Sequence, residues 1–249
     1  MAKISVFGDS FAIGHPIQNH WVGQIAKHHN VDTSDVVNTA FGGSGIIDAI
    51  MQFTKHINDV RASNILIFVW SQPSRLYHPE VRDINSGSCL HPDHQQYKNK
   101  KLYNDALTYY ENFYYAEIEE LKINGVFEWF DRVLLENFSD KKILHFQSFS
   151  AGECKDNVMQ YNFKSGINVC PALMVLSENE PEFTGLGLDS RSGHFSQYNH
   201  DHIFRTLIQY WNTDSGDNIL LDDNYMPTYT KDVYASVWRS LTSKIMENK

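Results

Sequence analysis

Ile4-Ser5-Val6-Phe7-Gly8-Asp9-Ser10-Phe11 opens the chain with a short apolar, β-branched run that stops at a Gly-Asp-Ser turn. Such a run reads as a buried strand, its glycine and aspartate as a tight turn, and Phe11-Ala12-Ile13-Gly14 beyond it as the start of a helix. The pattern repeats downstream. Val36-Val37-Asn38-Thr39 leads into the glycine-rich loop Phe41-Gly42-Gly43-Ser44-Gly45. Ile46, Ile50, Phe53, Ile57 and Val60 then recur every three or four residues, the mark of one apolar helix face. Ile65-Leu66-Ile67-Phe68-Val69-Trp70 is a continuous apolar run of the kind buried on both sides in a parallel sheet, and Pro73 stops it.

From Ser71 to Asn104 the chain turns polar and irregular, which predicts an insertion lying over the sheet as a lid. A helix is expected from Tyr103 to Asn124 with Leu107, Tyr110, Tyr114, Ile118 and Leu121 on one stripe, and the pattern continues past Gly125 through Phe127, Phe130 and Leu134. Ile143-Leu144-His145-Phe146 is the next strand. Residues 150–187 carry few periodic signals. A helix starting near Ser196 has Ile203, Leu207 and Tyr210 on one face, and a tail helix is expected over 230–246. Strands alternating with helices imply parallel pairing through right-handed crossovers. The expected architecture is a three-layer α/β/α sandwich with a mainly parallel sheet: one domain over 1–249, with an insertion at 71–104 and a C-terminal extension at 213–249.

Composition narrows the function classes. With 42% hydrophobic and 20% charged residues in 249, the chain can bury a real core and is not a low-complexity polymer. Lys and Arg total 21 against 30 Asp and Glu, a net charge of −9 with no basic run to meet a phosphate backbone, so nucleic acid is not an expected partner. No apolar stretch approaches the roughly 20 residues of a membrane span. Cys89, Cys154 and Cys170 are few, odd in number and widely spaced, which fits reduced thiols, buried or half-buried, better than a disulfide framework or a zinc ribbon. No export signal is visible after Met1-Ala2-Lys3, so a cytoplasmic location is expected.

In an open parallel sheet the ligand crevice lies outside the carboxyl ends of the strands. There the sequence places a hydroxyl (Ser10), a glycine-rich backbone (Gly42-Gly43) and a carboxamide (Gln72), while His194 precedes the helix near Ser196. These are the parts of acyl transfer. A serine hydroxyl needs a general base, and the oxyanion it creates needs fixed donors. The Ser10 N–H, the Gly43 N–H and the Gln72 amide are candidate donors, with His194 as the base. Each has a plain alternative: Asp9 or Ser10 as a cap, Gly43 as a turn residue needing positive φ, Gln72 facing solvent.

The order of these blocks resembles the SGNH or GDSL-like hydrolases: Gly-Asp-Ser near the start, then glycine, then a carboxamide, then a C-terminal histidine. Ile4 to Phe11 matches the first block, and Asn38-Thr39-Ala40-Phe41-Gly42-Gly43 matches the second, with the oxyanion glycine falling on Gly43. The third block departs, because Val69-Trp70-Ser71-Gln72-Pro73 puts Gln72 where the family has asparagine. In its Trp-Ser-x-x-x-Arg form, with Arg75, it is similar to phage-encoded relatives, which would make a virion-associated location an alternative. In Asp189-Ser190-Arg191-Ser192-Gly193-His194 the family's aspartate, three residues before the histidine, falls on Arg191, which cannot accept an imidazole N–H. Either Asp189 reaches through a longer turn or a backbone carbonyl orients His194.

The resemblance implies a serine esterase that needs no cofactor or metal and cleaves a small-molecule or glycan ester through an acyl-enzyme on Ser10. Two other readings stand beside it. One is a catalytically degenerate carbohydrate- or protein-binding module on the same fold. The other is a metal-dependent hydrolase using His194, His200 and His202 with Asp201 among them, and His91 and His94 as a further pair; against it, His200 and His202 point about 200° apart on a regular helix and cannot chelate one ion together, and the plain alternative is solvated surface histidines.

Overall fold

The computed structural model describes residues 3–13, 20–80, 82–84, 100–148, 161–170, 173 and 197–221. Eight strands are present among them: β1 Ile4–Gly8, β2 Val36–Asn38, β3 Ile65–Trp70, β4 Leu76–His78, β5 Arg82–Ile84, β6 Lys142–Gln147, β7 Ile167–Cys170 and β8 Asn218–Leu220. The α-helices are α1 Trp21–His28, α2 Ile46–Lys55, α3 Ile57–Ala62, α4 Lys100–Asn112, α5 Ala116–Asn137 and α6 Gln197–Gln209. Six strands form one sheet in the order β2-β1-β3-β6-β7-β8, every neighbouring pair parallel. The α/β sandwich expected from the strand and helix alternation is the architecture found. The chain steps outward from β1 to β2 and then returns to the other side of β1 as β3, so the crevice opens at the carboxyl ends of β1 and β3.

Strand periodicity divides the core in two. Ile4, Val6, Ile65, Ile67, Val69, Leu144 and Phe146 face one side, where Trp21 and Ile25 of α1 and Ile203 and Leu207 of α6 cover them. Phe7, Leu66, Phe68 and Trp70 face the other, beneath Ile46 and Phe53 of α2, Val60 of α3, and Phe127, Phe130 and Leu134 of α5. Because both faces are covered, all six residues of β3 are buried. Each large side chain so buried contributes about 2 to 3 kcal/mol by removal of apolar surface from water.

Two glycines mark where sheet neighbours approach too closely for a side chain. A Cβ on Gly8, at φ +143°, would stand 2.4 Å from the Val69 carbonyl oxygen, and one on Gly166 would stand 2.5 Å from that of Ile143. Gly166 lies in a tight approach to β7 that α5 holds: Asp131 accepts from the Lys164 and Ser165 N–H groups at 3.0 and 2.8 Å. Nearby, the fully buried His145 accepts at Nδ1 from the Trp70 indole N–H at 3.2 Å, and its Nε2 lies 3.2 Å from Ser165 Oγ. Its ring stacks on Phe163, centroids 3.9 Å apart. An Nδ1 that accepts leaves the proton on Nε2 of a neutral ring, and burial pushes the pKa down to about 3.

Several expectations are corrected. The helix predicted over Tyr103–Asn124 is two helices broken at 113–115, so α5 starts a new angular phase; Ile118 and Leu121 turn to solvent while Ile123 and Phe127 face the core. Gly125 interrupts nothing, lying inside α5. Tyr210 lies one residue beyond α6 and is exposed. The 71–104 insertion contains the antiparallel hairpin of β4 and β5, packed on α4 through Leu76, Ile84, Leu102, Ala106 and Leu107. Part of the expected C-terminal extension belongs to the sheet, because Asn218–Leu220 pairs with β7 as its edge strand. The tail helix expected over 230–246 lies outside the described residues.

Candidate functional site

Ser10 follows β1 by two residues and sits, half-buried, at the switch point of the sheet. The expected α-helix does not begin there. Ser10–Ala12 is one 3-10 turn, and α1 starts only at Trp21, capped by His20, whose Nδ1 accepts from the Val22 N–H at 3.2 Å. The reason is local: the buried Asp9 caps the turn by accepting from the Phe11 N–H at 3.1 Å, and the Ala12 and Ile13 amides close back on Asp9 and Ser10. Among the described residues neither the Ser10 amide nor its hydroxyl has a hydrogen-bond partner, so both are uncommitted at this edge of the sheet.

The loop after β2 comes alongside. The Thr39 and Phe41 N–H groups donate to the Val6 and Gly8 carbonyls at 3.0 Å each, which extends the β1–β2 edge past the strand end. The Ser44 N–H then closes a turn on the Phe41 carbonyl at 3.0 Å, with Gly43 at φ +85° in its third position. That is the backbone of a type II turn, which favours glycine there. A Cβ on Gly42 would lie 3.8 Å from Ile13 Cδ1, so this loop borders the Ser10 turn. Gln72, two residues beyond β3, is half-buried, and the turn after it closes through the Arg75 N–H at 3.4 Å from the Gln72 carbonyl. Ser10, Gly43 and Gln72 thus follow three adjacent strands, β1, β2 and β3, on the same edge of the sheet.

Sequence reasoning did not assign the charged support of this edge. Arg75 donates to the Ser44 carbonyl at 2.8 Å, and a Cβ on Gly45 would stand 2.7 Å from Asp83 Oδ1 and 3.0 Å from Arg75 Cβ. Burial pulls the Arg75 guanidinium below its ordinary pKa, while the negative fields of Asp9 and Asp83 act in the opposite direction. It remains a cation. One guanidinium therefore ties the Gly43–Gly45 loop electrostatically to the Ser10 turn and to the β4–β5 hairpin. The Tyr110 hydroxyl braces that hairpin from α4, lying 2.6 Å from the Ser74 carbonyl oxygen and 2.8 Å from that of Ile84. The visible signal was Arg75 itself, at fixed distance from the Trp70-Ser71 strand end; its carboxylate partners depend on tertiary packing.

His194 and Asp189 lie outside the described residues. Topology places the element that follows them: α6 begins three residues after His194, and as the crossover between the parallel strands β7 and β8 it starts at the carboxyl edge of the sheet. Its first turn reaches the Ser10 neighbourhood. His200 lies with its ring centroid 4.5 Å from His20, and Trp21, next to His20, donates to the Phe11 carbonyl at 3.0 Å. The expectation of solvated surface histidines fails for His200 and His202, which are 7% and 8% exposed, because α6 is flanked by α1 as well as by the sheet. Burial, with the neighbouring His200, lowers the His20 pKa to about 3; burial lowers that of His200 to about 4 despite Asp201. Among the described residues no three His, Cys, Asp or Glu side chains are grouped as metal ligands are.

The fold defines the class: a parallel α/β/α protein in which a serine, a glycine turn and a glutamine follow three adjacent strands at one edge of the sheet, beside a buried arginine. No family model matches the chain, nor does any curated protein or solved structure.

Proposed function

We propose that the protein is a serine ester hydrolase of SGNH type acting on a small-molecule or glycan ester. The observation that carries this reading is Ser10 at the switch point, its hydroxyl and amide uncommitted, with the Gly43 turn on one side and Gln72 on the other. In this mechanism His194 takes the Ser10 hydroxyl proton and the oxygen attacks the ester carbonyl. The carbonyl oxygen gains the negative charge and is met by the Ser10 N–H, the Gly43 N–H and the Gln72 amide. Collapse of the tetrahedral adduct expels the alcohol, which leaves with the proton held by His194. Water, deprotonated by His194, then releases the acid and restores Ser10. Asp189 or a backbone carbonyl orients the imidazole. The sparse cysteines favour a reducing, cytoplasmic setting.

A second reading, a binding module on the same fold, is favoured by Gln72 at the asparagine position and Arg191 at the aspartate position. Labelling by a fluorophosphonate probe, together with p-nitrophenyl acetate hydrolysis, separates the two. The hydrolase reading expects labelling of the wild type, abolished in Ser10→Ala, and turnover reduced at least 100-fold in Ser10→Ala and His194→Ala. A wild type that neither labels nor outpaces both variants sinks it.

A further inference from the structure

Ser44, the residue after Gly43, is held at its amide, its carbonyl and its hydroxyl. The N–H donates to the Phe41 carbonyl at 3.0 Å, the carbonyl accepts from Arg75 at 2.8 Å, and the hydroxyl donates to Asp48 Oδ2 at 2.6 Å. Asp48 lies in the first turn of α2 and is fully buried, and its Oδ1 accepts from the Gln52 side-chain amide at 3.1 Å. A carboxyl group buried so completely is costly to desolvate unless its oxygens are hydrogen-bonded. The N-cap of α2 is Gly45, which makes no side-chain cap bond, so the Ser44–Asp48 pair stands one residue outside the usual capping position. Gly42 and Gly43, immediately before, are the opposite of Ser44. Both are exposed, a Cβ on Gly43 would meet no atom within 4 Å, and among the described residues the Gly43 N–H has no partner.

Resting on the hydrolase reading, we propose that Asp48 is a positioning residue: through Ser44 it sets where the Gly43 N–H stands relative to the Ser10 N–H, so that both meet one oxyanion. The turn is pinned at its two ends. At one end the Phe41 N–H donates to the Gly8 carbonyl, which ties it to β1 and hence to the Ser10 turn. At the other, Ser44 is bonded to Asp48 of α2 and to Arg75 beyond β3. The glycine peptide between them has no side chain of its own to fix it. Its positive φ decides which way the Gly43 N–H points, and the anchored ends decide where it stands. A donor speeds the reaction only if it already occupies its place when charge develops, because moving it during the step costs rate. The Ser44–Asp48 bond, buried at both partners and charge-assisted when Asp48 is ionised, supplies that fixity at the end remote from β1.

Steady-state hydrolysis of p-nitrophenyl acetate and the rate of fluorophosphonate labelling test this in the full chain, with urea midpoints measured alongside. Ser44→Ala and Asp48→Ala are each expected to lower kcat and kcat/KM together by about 10- to 100-fold, with KM within about threefold, because only the charged oxyanion senses the donor's place. Asp48→Asn keeps an oxygen for the Ser44 hydroxyl and should recover most of the loss. The double variant Ser44→Ala/Asp48→Ala should be no slower than the slower single one, since both act through one bond. Full kcat in variants whose urea midpoints fall would show a purely structural bond and overturn the proposal, as would losses that multiply in the double variant. Glycine-selective 15N spectra read the anchor without turnover: among 14 glycines, the amide signal lost in Gly43→Ala is that of Gly43. It should shift in Ser44→Ala and Asp48→Ala and return towards its wild-type place in Asp48→Asn. A wild type without labelling or turnover defeats the hydrolase reading and leaves the anchor to these spectra. A Gly43 amide unmoved in Ser44→Ala defeats the anchor, whatever the activity.

Discussion

Gly8 and Gly43 both have positive φ, yet only one of them is packed. At Gly8 any side chain collides with the Val69 backbone, whereas at Gly43 the space is open and only the dihedral is unfavourable. Gly8→Ala is therefore expected to cost about 3 kcal/mol or more, through collision and strain together, and Gly43→Ala about 1 kcal/mol. Urea midpoints of the two variants check this; equal losses would contradict it. Ser10, Gly43 and Gln72 were legible as residues because glycine, turn chemistry and the strand ends fix their neighbourhood within a few positions. Arg75 was visible but its task was not, since Asp9 and Asp83 reach it only after the sheet and hairpin have formed. With Arg75 replaced by Met, Asp9 loses its counter-charge while buried, and a loss of about 3 kcal/mol is expected. Adding Asp83→Asn should return part of it in a thermal melt, and a double variant no more stable than Arg75→Met alone would count against the brace.

Elements were predicted well where one periodicity runs unbroken and poorly where it is cut. The six apolar residues of β3 read correctly because burial on both faces removes alternation. β7 was missed because four residues, Ile167–Cys170, include Asn168, whose side chain serves the preceding turn: it accepts from the Phe163 N–H at 3.0 Å and donates to the Phe163 carbonyl at 2.9 Å. α4 and α5 were fused because the apolar residues on either side of 113–115 fit one stripe on paper. α5 also holds the Gly166 turn through Asp131. Asp131→Ala leaves two amides, of Lys164 and Ser165, without an acceptor, and is expected to cost about 2 to 3 kcal/mol in urea denaturation. A change below about 0.5 kcal/mol would show that the turn holds itself.

Over the whole molecule, three buried imidazoles set the acid limit. His20 and His145 have native pKa values of about 3 and His200 of about 4, against about 6.5 unfolded. Between those limits the unfolded chain binds protons that the native protein refuses. Stability is thus fully present above about pH 6.5 and falls as the pH drops towards 4. Each histidine contributes about 1.4 kcal/mol per pH unit once its unfolded form is protonated, so the three together give a slope of about 4 kcal/mol per unit near pH 5. Urea unfolding at pH 7.5, 6 and 5 reads the slope directly, and a flat profile would contradict the burial of neutral rings.

The all-parallel sheet also governs how the chain reaches its native state. β1 meets β3 through Ile4 and Ile65, 61 positions apart, and β3 meets β6 through Ile65 and Lys142, 77 positions apart. Among the described residues no hairpin seeds the sheet, because the β4–β5 hairpin lies outside it. The central pairings close only after long stretches of chain have lost their freedom, which makes the search slow and leaves β3, the most apolar strand, exposed while it waits. Helix α5 and the hairpin can form in microseconds, whereas refolding of the sheet belongs to the slower range of mixed α/β domains. During that interval Ile65–Trp70 is the segment most prone to pair with a neighbouring molecule, so refolding yield should fall as protein concentration rises.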